Sequence, residues 1–237
     1  MITGKKIEPA STKYWKPTAN RFVGFIDIMG FKDMVARNNH DDIYKMMKKL
    51  RKSLEFTEDM FGKSFTEYGE DMFVKMTTYS DSIIIYSKDD TDESLESFFT
   101  SIACLHEDLF SLKIPHKGAI AFGKMTLDQD NSIFFGQPLI DAFQLQEEVR
   151  FYGIVCHASA ENKIKGNPND IYLYEHLCHF KEGRAKHLAI CPMALDKKGG
   201  RTEIEISNLK SITSGHLRKY IDNTMEFIKA VKPIVKS

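Results

Sequence analysis

Phe22-Val-Gly-Phe-Ile-Asp-Ile-Met-Gly-Phe31 carries an apolar run into a single carboxylate, Asp27, and then breaks at Gly30. The β-branched and aromatic content of residues 21–28 predicts a buried strand, and Gly30 opens a turn into a short helix over residues 31–36. A carboxylate at the end of such a strand adds little to a core, but it suits a hard divalent cation. A second stretch, Thr78-Tyr-Ser-Asp-Ser-Ile-Ile-Ile-Tyr86, repeats the device. Strands over residues 72–78 and 82–87 are joined so tightly at Tyr79-Ser80-Asp81 that a hairpin follows, with Asp81 at its tip. Each aspartate also has an ordinary use: Asp27 can cap the next helix, and Asp81 can bond its own turn. Brought together on neighbouring strands, the two would offer oxygen donors to a pair of cations and the triphosphate they neutralise.

Outward from these strands the pattern alternates. Asn39-His40-Asp41 caps an amphipathic helix over residues 43–61. Thr91 begins another, with Leu95, Phe98, Phe99, Ile102, Leu105 and Leu109 on one helical period, ended by Pro115. A strand over residues 117–122, a polar loop at 127–132, a helix over 136–149 and a strand over 153–157 follow. Beyond Asn167 come short strands, including 187–190 and 202–206, and a closing helix over 214–231. The order predicts an α+β fold, an antiparallel sheet flanked by helices. Residues 1–20 read as an N-terminal arm, 21–165 as the core, and 166–237 as a C-terminal α/β extension packed on that core.

Composition narrows the function classes. With 42% apolar and 28% charged residues and a formal net charge of zero, the 237-residue chain is an ordinary globular protein rather than an electropositive nucleic-acid platform. Its four cysteines, Cys104, Cys156, Cys178 and Cys191, are widely spaced without a CxxC pair, so neither a zinc ribbon nor a disulfide framework is expected. A polar N-terminus and no long apolar stretch imply a cytoplasmic protein without membrane contact. Three local clusters have bland explanations. Lys48–Lys52 reads as a solvated helix face, Asp89–Glu93 as an acidic helix start, and His176, Cys178 and His179 as too compact for a metal site.

Phe25, Asp27, Gly30 and Phe31 reproduce the F-x-D-x-x-G-F signature of the class III nucleotidyl cyclases, which the chain resembles over residues 22–157. Asp81 stands where their hairpin carries a second metal-binding aspartate, and Phe134-Phe-Gly136 through Leu145 matches a later glycine–helix element. The resemblance implies a ferredoxin-like, palm-type sheet and a homodimer with active sites at its interface. It also implies two Mg2+ or Mn2+ ions held by Asp27, Asp81 and the Ile28 carbonyl, and a nucleoside triphosphate lying over Phe25, Met29, Gly30 and Phe31. Purine cyclases read the base with a charged residue four positions before the second aspartate. Here that position is Thr77, with Tyr79 nearer the turn, which suggests a pyrimidine. Together with Lys117-Gly-Ala-Ile-Ala-Phe-Gly123, this is most similar to the pyrimidine cyclases of bacterial Pycsar anti-phage systems, which make cyclic UMP or cyclic CMP. The expected activity is conversion of UTP or CTP to the 3′,5′-cyclic monophosphate plus pyrophosphate. A purine cyclase and a nucleotide-sensing domain without turnover are the alternatives. Ile140 and Gln144 stand where many class III enzymes carry a catalytic Asn and a transition-state Arg, so Lys117 is the first candidate for that cation, ahead of Arg150 and Arg184.

Overall fold

A computed structural model describes residues 15–66, 69–190 and 201–235. Its centre is β1 (Thr18–Ile28), paired antiparallel on one side with β5 (Ser82–Ser87) and on the other with β6 (His116–Asp128). β4 (Val74–Tyr79) closes the hairpin with β5 at one edge. Beyond β6 lie β8 (Ile154–Cys156), β10 (Gly183–Ile190) and β9 (Leu173–Phe180), giving the order β4-β5-β1-β6-β8-β10-β9, while β7 (Ile133–Gly136) pairs with the far end of β6. A separate two-stranded ribbon joins β2 (Lys63–Thr66) and β3 (Gly69–Met72). The sheet is mixed and not wholly antiparallel, because β6 and β8 run parallel. A parallel pair needs a crossover, and α4 (Gln137–Glu148) supplies it.

Alternation along β1 divides the packing. Phe22, Ile26 and Ile28 share a core with Leu50 and Leu54 of α2 (His40–Phe61) and with Phe98, Phe99, Ile102, Leu105 and Leu109 of α3 (Asp92–Ser111). The Phe22 ring lies 5.7 Å from Phe98 and 5.4 Å from Phe99. Asn39 caps α2 and Thr91 caps α3, each accepting from the amide three residues on. On the opposite face Phe25 packs with Ala121 and Ala142, and its ring meets Phe143 of α4 at 5.3 Å. At Gly136 the backbone passes so close to β6 that an added Cβ would meet Lys124 O at 2.6 Å and Met125 Cα at 2.9 Å. Two short helices, α1 (Phe31–Arg37) and α5 (Ala158–Glu161), complete the connections of this region.

Three expectations are corrected here. Residues 202–206 are helical, within α6 (Arg201–Ile212), not a strand. Thr202 and Ile206 are buried four residues apart while Ile204 is exposed, so the apparent alternation is one face of a helix. The polar loop expected at 127–132 is shorter, because β6 runs to Asp128 and β7 returns after a turn in which Asp128 accepts from the Asn131 amide and side chain. The boundary expected at residue 20 falls inside β1. β1 already pairs with β6 at Thr18–Asn20, and the Trp15 indole donates to Met72 O at 2.9 Å; residues 1–14 lie outside the described residues.

The C-terminal strands continue the main sheet, and α7 (His216–Val235) adds Tyr220, Ile221, Phe227, Ile228 and Val231 to the main core cluster. Cys104, Cys156 and Cys178 are free thiols, the last two buried, and Cys191 lies outside the described residues. No helix among the described residues is long and apolar enough to cross a membrane.

Candidate active site

Where β1 ends, its register sets four side chains in one row across one face of the sheet. Asp27 stands opposite Ser82 of β5 and Lys117 of β6, and Ser82 stands opposite Tyr79 of β4. Asp81 precedes Ser82, and its carbonyl accepts the Ile28 amide at 2.8 Å, tying the hairpin tip to the end of β1. Ser80 takes the left-handed conformation (φ 56°) that so short a turn requires. Asp27 senses its neighbours: burial pushes its carboxyl above the usual range, Lys117 opposes that rise, and the negative charge of Asp81 adds to it. Neither carboxylate accepts a hydrogen bond from a described residue. The ordinary uses of both are therefore set aside. α1 has Gly30 as its N-cap with no side-chain cap, so Asp27 does not cap it, and Asp81 does not bond its own turn.

Lys117 departs from expectation. It is only 6% exposed, and its ammonium donates to the carbonyls of Gln146 (2.7 Å) and Glu147 (3.4 Å) at the C-terminus of α4. Burial lowers its pKa, while Glu147 and Asp27 raise it. It is neither a solvated strand-end lysine nor a free cation for a reacting phosphate. It anchors α4 and balances Asp27. Arg150 is similarly engaged, donating to the carbonyls of Glu147 and Val149, and Arg184 is paired with Glu226.

The residues expected to contact the nucleotide differ in their surroundings. The Phe25 ring is covered by α4, and Met29 and Phe31 are partly buried against the main core. Gly30 is exposed with φ 75°, and an added Cβ would meet nothing within 4 Å; its backbone geometry, not space, demands glycine. The Met29 amide is taken by Pro115 O at 2.8 Å. Thr77 lies one row down the sheet, opposite Ile84, on the same face as Asp27. Tyr79 is 82% exposed at the end of that face, two strands from Asp27, roughly 10 Å by ordinary strand spacing.

Sequence reasoning missed Tyr220. This α7 residue lies close enough to Asp27 and Glu147 for both to raise the pKa of its phenol, although burial is the larger cause, while Arg150 lowers it. No motif marks it, since it is one tyrosine of an amphipathic helix, placed by the Asn223 side chain gripping Arg150 O at 2.7 Å. Among the described residues no group of three or more His, Cys, Asp or Glu could hold a metal. His176 stacks on Phe227 and His179 bonds Glu226, so that cluster is structural. Any cation at the sheet end would rest on the two aspartates and backbone oxygen.

Neither a protein-family model nor a curated protein matches the sequence. Solved structures do. The catalytic core of a rhodopsin-guanylyl cyclase with converted specificity, in complex with ATPαS, superposes with a TM-score of 0.53 at 15% identity, covering 74% of this chain and 97% of that one. The adenylyl cyclase CyaB from P. aeruginosa gives 0.51 at 11% identity, covering 73% and 92%. The chain has the fold of the class III cyclase catalytic domain. A bacterial light-regulated adenylyl cyclase reaches further along this cyclase fold, with a TM-score of 0.50 at 9% identity over 90% of this chain and 99% of that one.

Proposed function

We propose that the protein is a nucleotide cyclase that closes a pyrimidine nucleoside triphosphate, UTP or CTP, to its 3′,5′-cyclic monophosphate. The observation that carries this reading is the pair of unbonded carboxylates, Asp27 and Asp81, at one end of a cyclase-type sheet. The reaction forms a bond between the ribose 3′ oxygen and the α-phosphorus, breaks the bond to the β-phosphate bridge, and releases pyrophosphate and the hydroxyl proton. Asp27, Asp81 and the Ile28 carbonyl offer hard oxygen donors that fit Mg2+ or Mn2+. Such ions, when bound, supply acidity to the attacking hydroxyl and charge neutralisation to the phosphates. Lys117 opposes the rise that burial imposes on the Asp27 carboxyl and fixes the end of α4 beside it. Thr77 and Tyr79 offer a hydroxyl and an open aromatic face to the base.

The active form is a homodimer. Ile133, Phe134 and Phe135 of β7 and Ile140 and Phe143 of α4 are exposed together, an apolar set that suits a second copy. Because Lys117 and Arg150 are already bonded to carbonyls, the cation facing the reacting phosphate comes across that interface. By its resemblance to the Pycsar enzymes, the product would serve as an anti-phage messenger. The adenylyl and guanylyl cyclases among the solved neighbours favour a purine reading instead, and one experiment separates the two. The protein is incubated with each of the four nucleoside triphosphates and Mn2+, and products are identified by mass. Cyclic UMP or cyclic CMP is expected. Cyclic AMP or cyclic GMP would move the assignment to a purine, and no cyclic product with any of the four would refute turnover.

A further inference from the structure

The turn between α3 and β6 separates two cavities that the cyclase reading does not use. One, of about 350 Å³, is lined by Phe110, Ile114, Pro115 and Leu209 together with the polar Lys113, Glu205 and Asn208. The other, of about 390 Å³, shares Lys113 and Ile114 and adds Lys45 and Lys49 of α2. The first is mostly apolar and the second is bordered by three lysines against the single carboxylate of Asp42, which Lys45 already pairs at 3.4 Å. Both volumes fall in the range of small-molecule sites.

Lys113 joins the two. It stands just past the end of α3, where its amide bonds Phe110 O at 2.9 Å and the Ile114 amide reaches Leu109 O at 2.9 Å, the double closure that usually ends on glycine. The lysine accordingly sits at φ 60°, a conformation glycine adopts freely and lysine does not. Among the described residues the ammonium groups of Lys113 and Lys49 have no hydrogen-bond or ion-pair partner. A mostly apolar chamber lined in part by an exposed, unengaged cation suits one ligand chemistry.

We propose that this paired cavity binds an amphipathic organic anion, its apolar body between Phe110, Pro115 and Leu209 and its charged head on Lys113 and Lys49. The ligand would lie one hydrogen bond from the turn that follows Asp27, since Pro115 O accepts the Met29 amide. The test reads binding, not turnover, so it stands or falls independently of the cyclase assignment. The full chain is titrated with 8-anilinonaphthalene-1-sulfonate, with its neutral counterpart N-phenyl-1-naphthylamine, and with decanoate as a competitor. One saturable sulfonate site per chain is expected, displaced by decanoate, with the neutral compound bound at least tenfold more weakly. Lys113→Gly is expected to melt no lower than the parent while losing at least tenfold in sulfonate affinity, and Leu209→Trp, which fills the chamber, is expected to abolish the site. Parental affinity in Lys113→Gly, or equal affinity for the neutral compound, overturns the proposal. Should Leu209→Trp fail to fold, the glycine variant decides alone.

Discussion

At Asp27 the fold holds a charge it does not favour. Burial raises the pKa of its carboxyl, Lys117 works against that rise, and Asp81 adds to it. A raised carboxylate means that the folded state is destabilised by keeping it ionised at neutral pH. Asp27→Asn should therefore melt no lower than the parent, with Lys117 still facing Glu147, and yet make no cyclic nucleotide. Mn2+ should raise the melting temperature of the parent and leave that of Asp27→Asn unchanged, as mass action requires of a ligand whose site is gone. A large fall in melting temperature on Asp27→Asn would mean that the carboxylate is structural. The two aspartates were legible in the sequence because strand periodicity and a tight turn are local properties. Tyr220 and the engagement of Lys117 were not, because a side chain's partners come from segments remote in the chain.

At the scale of elements, α4 is the crossover on which the site's geometry depends. Pro138 and the close approach at Gly136 set its start, and the Lys117 ammonium binds its last carbonyls. A charge-assisted bond of this kind contributes about 2 kcal/mol. Lys117→Met keeps the apolar stem, so it should destabilise the protein by about that amount in urea unfolding, and turnover should fall because Asp27 loses its balancing cation. An unchanged midpoint would show that α4 is anchored elsewhere. α4 was legible from the glycine and proline at its start. α6 was not, because Thr202-Glu-Ile-Glu-Ile206 fits a two-residue period as well as a helical one. Only the burial of Thr202 and Ile206, with Ile204 exposed, separates the two. β7 escaped notice for a related reason: its apolar residues face outward, where a monomer has no use for them.

For the molecule as a whole, acid should act through buried imidazoles. His106 and His116 are fully enclosed, their ring nitrogens 2.6 Å apart, and His116 Nδ1 donates to Ile114 O at 2.8 Å. That bond fixes the tautomers. His116 Nε2 accepts from His106 Nδ1, and His106 Nε2 is left buried without a partner, an arrangement that requires both rings neutral. Burial lowers the pKa of His116 to about 4 and that of His106 well below its ordinary value; His176 is also lowered to about 4, by burial first. Between pH 6.5 and about 4 the unfolded chain binds protons that the folded chain does not, so stability is intact above pH 6.5 and falls as the pH drops through that window. His116 alone accounts for about 3 kcal/mol of that loss. Urea midpoints measured from pH 7.5 to 4.5 should decline accordingly, and a flat profile would contradict the buried neutral pair.

Taken alone, the chain determined its own strands near the two aspartates, its capped helices and the α+β class, since hydrophobic period, caps and turns act within a few residues. Only tertiary structure decided that β6 and β8 run parallel, that α6 is a helix, and that Lys117 is buried beneath α4. Those outcomes depend on which distant surfaces meet, and burial, unlike periodicity, is a property that no short segment possesses by itself.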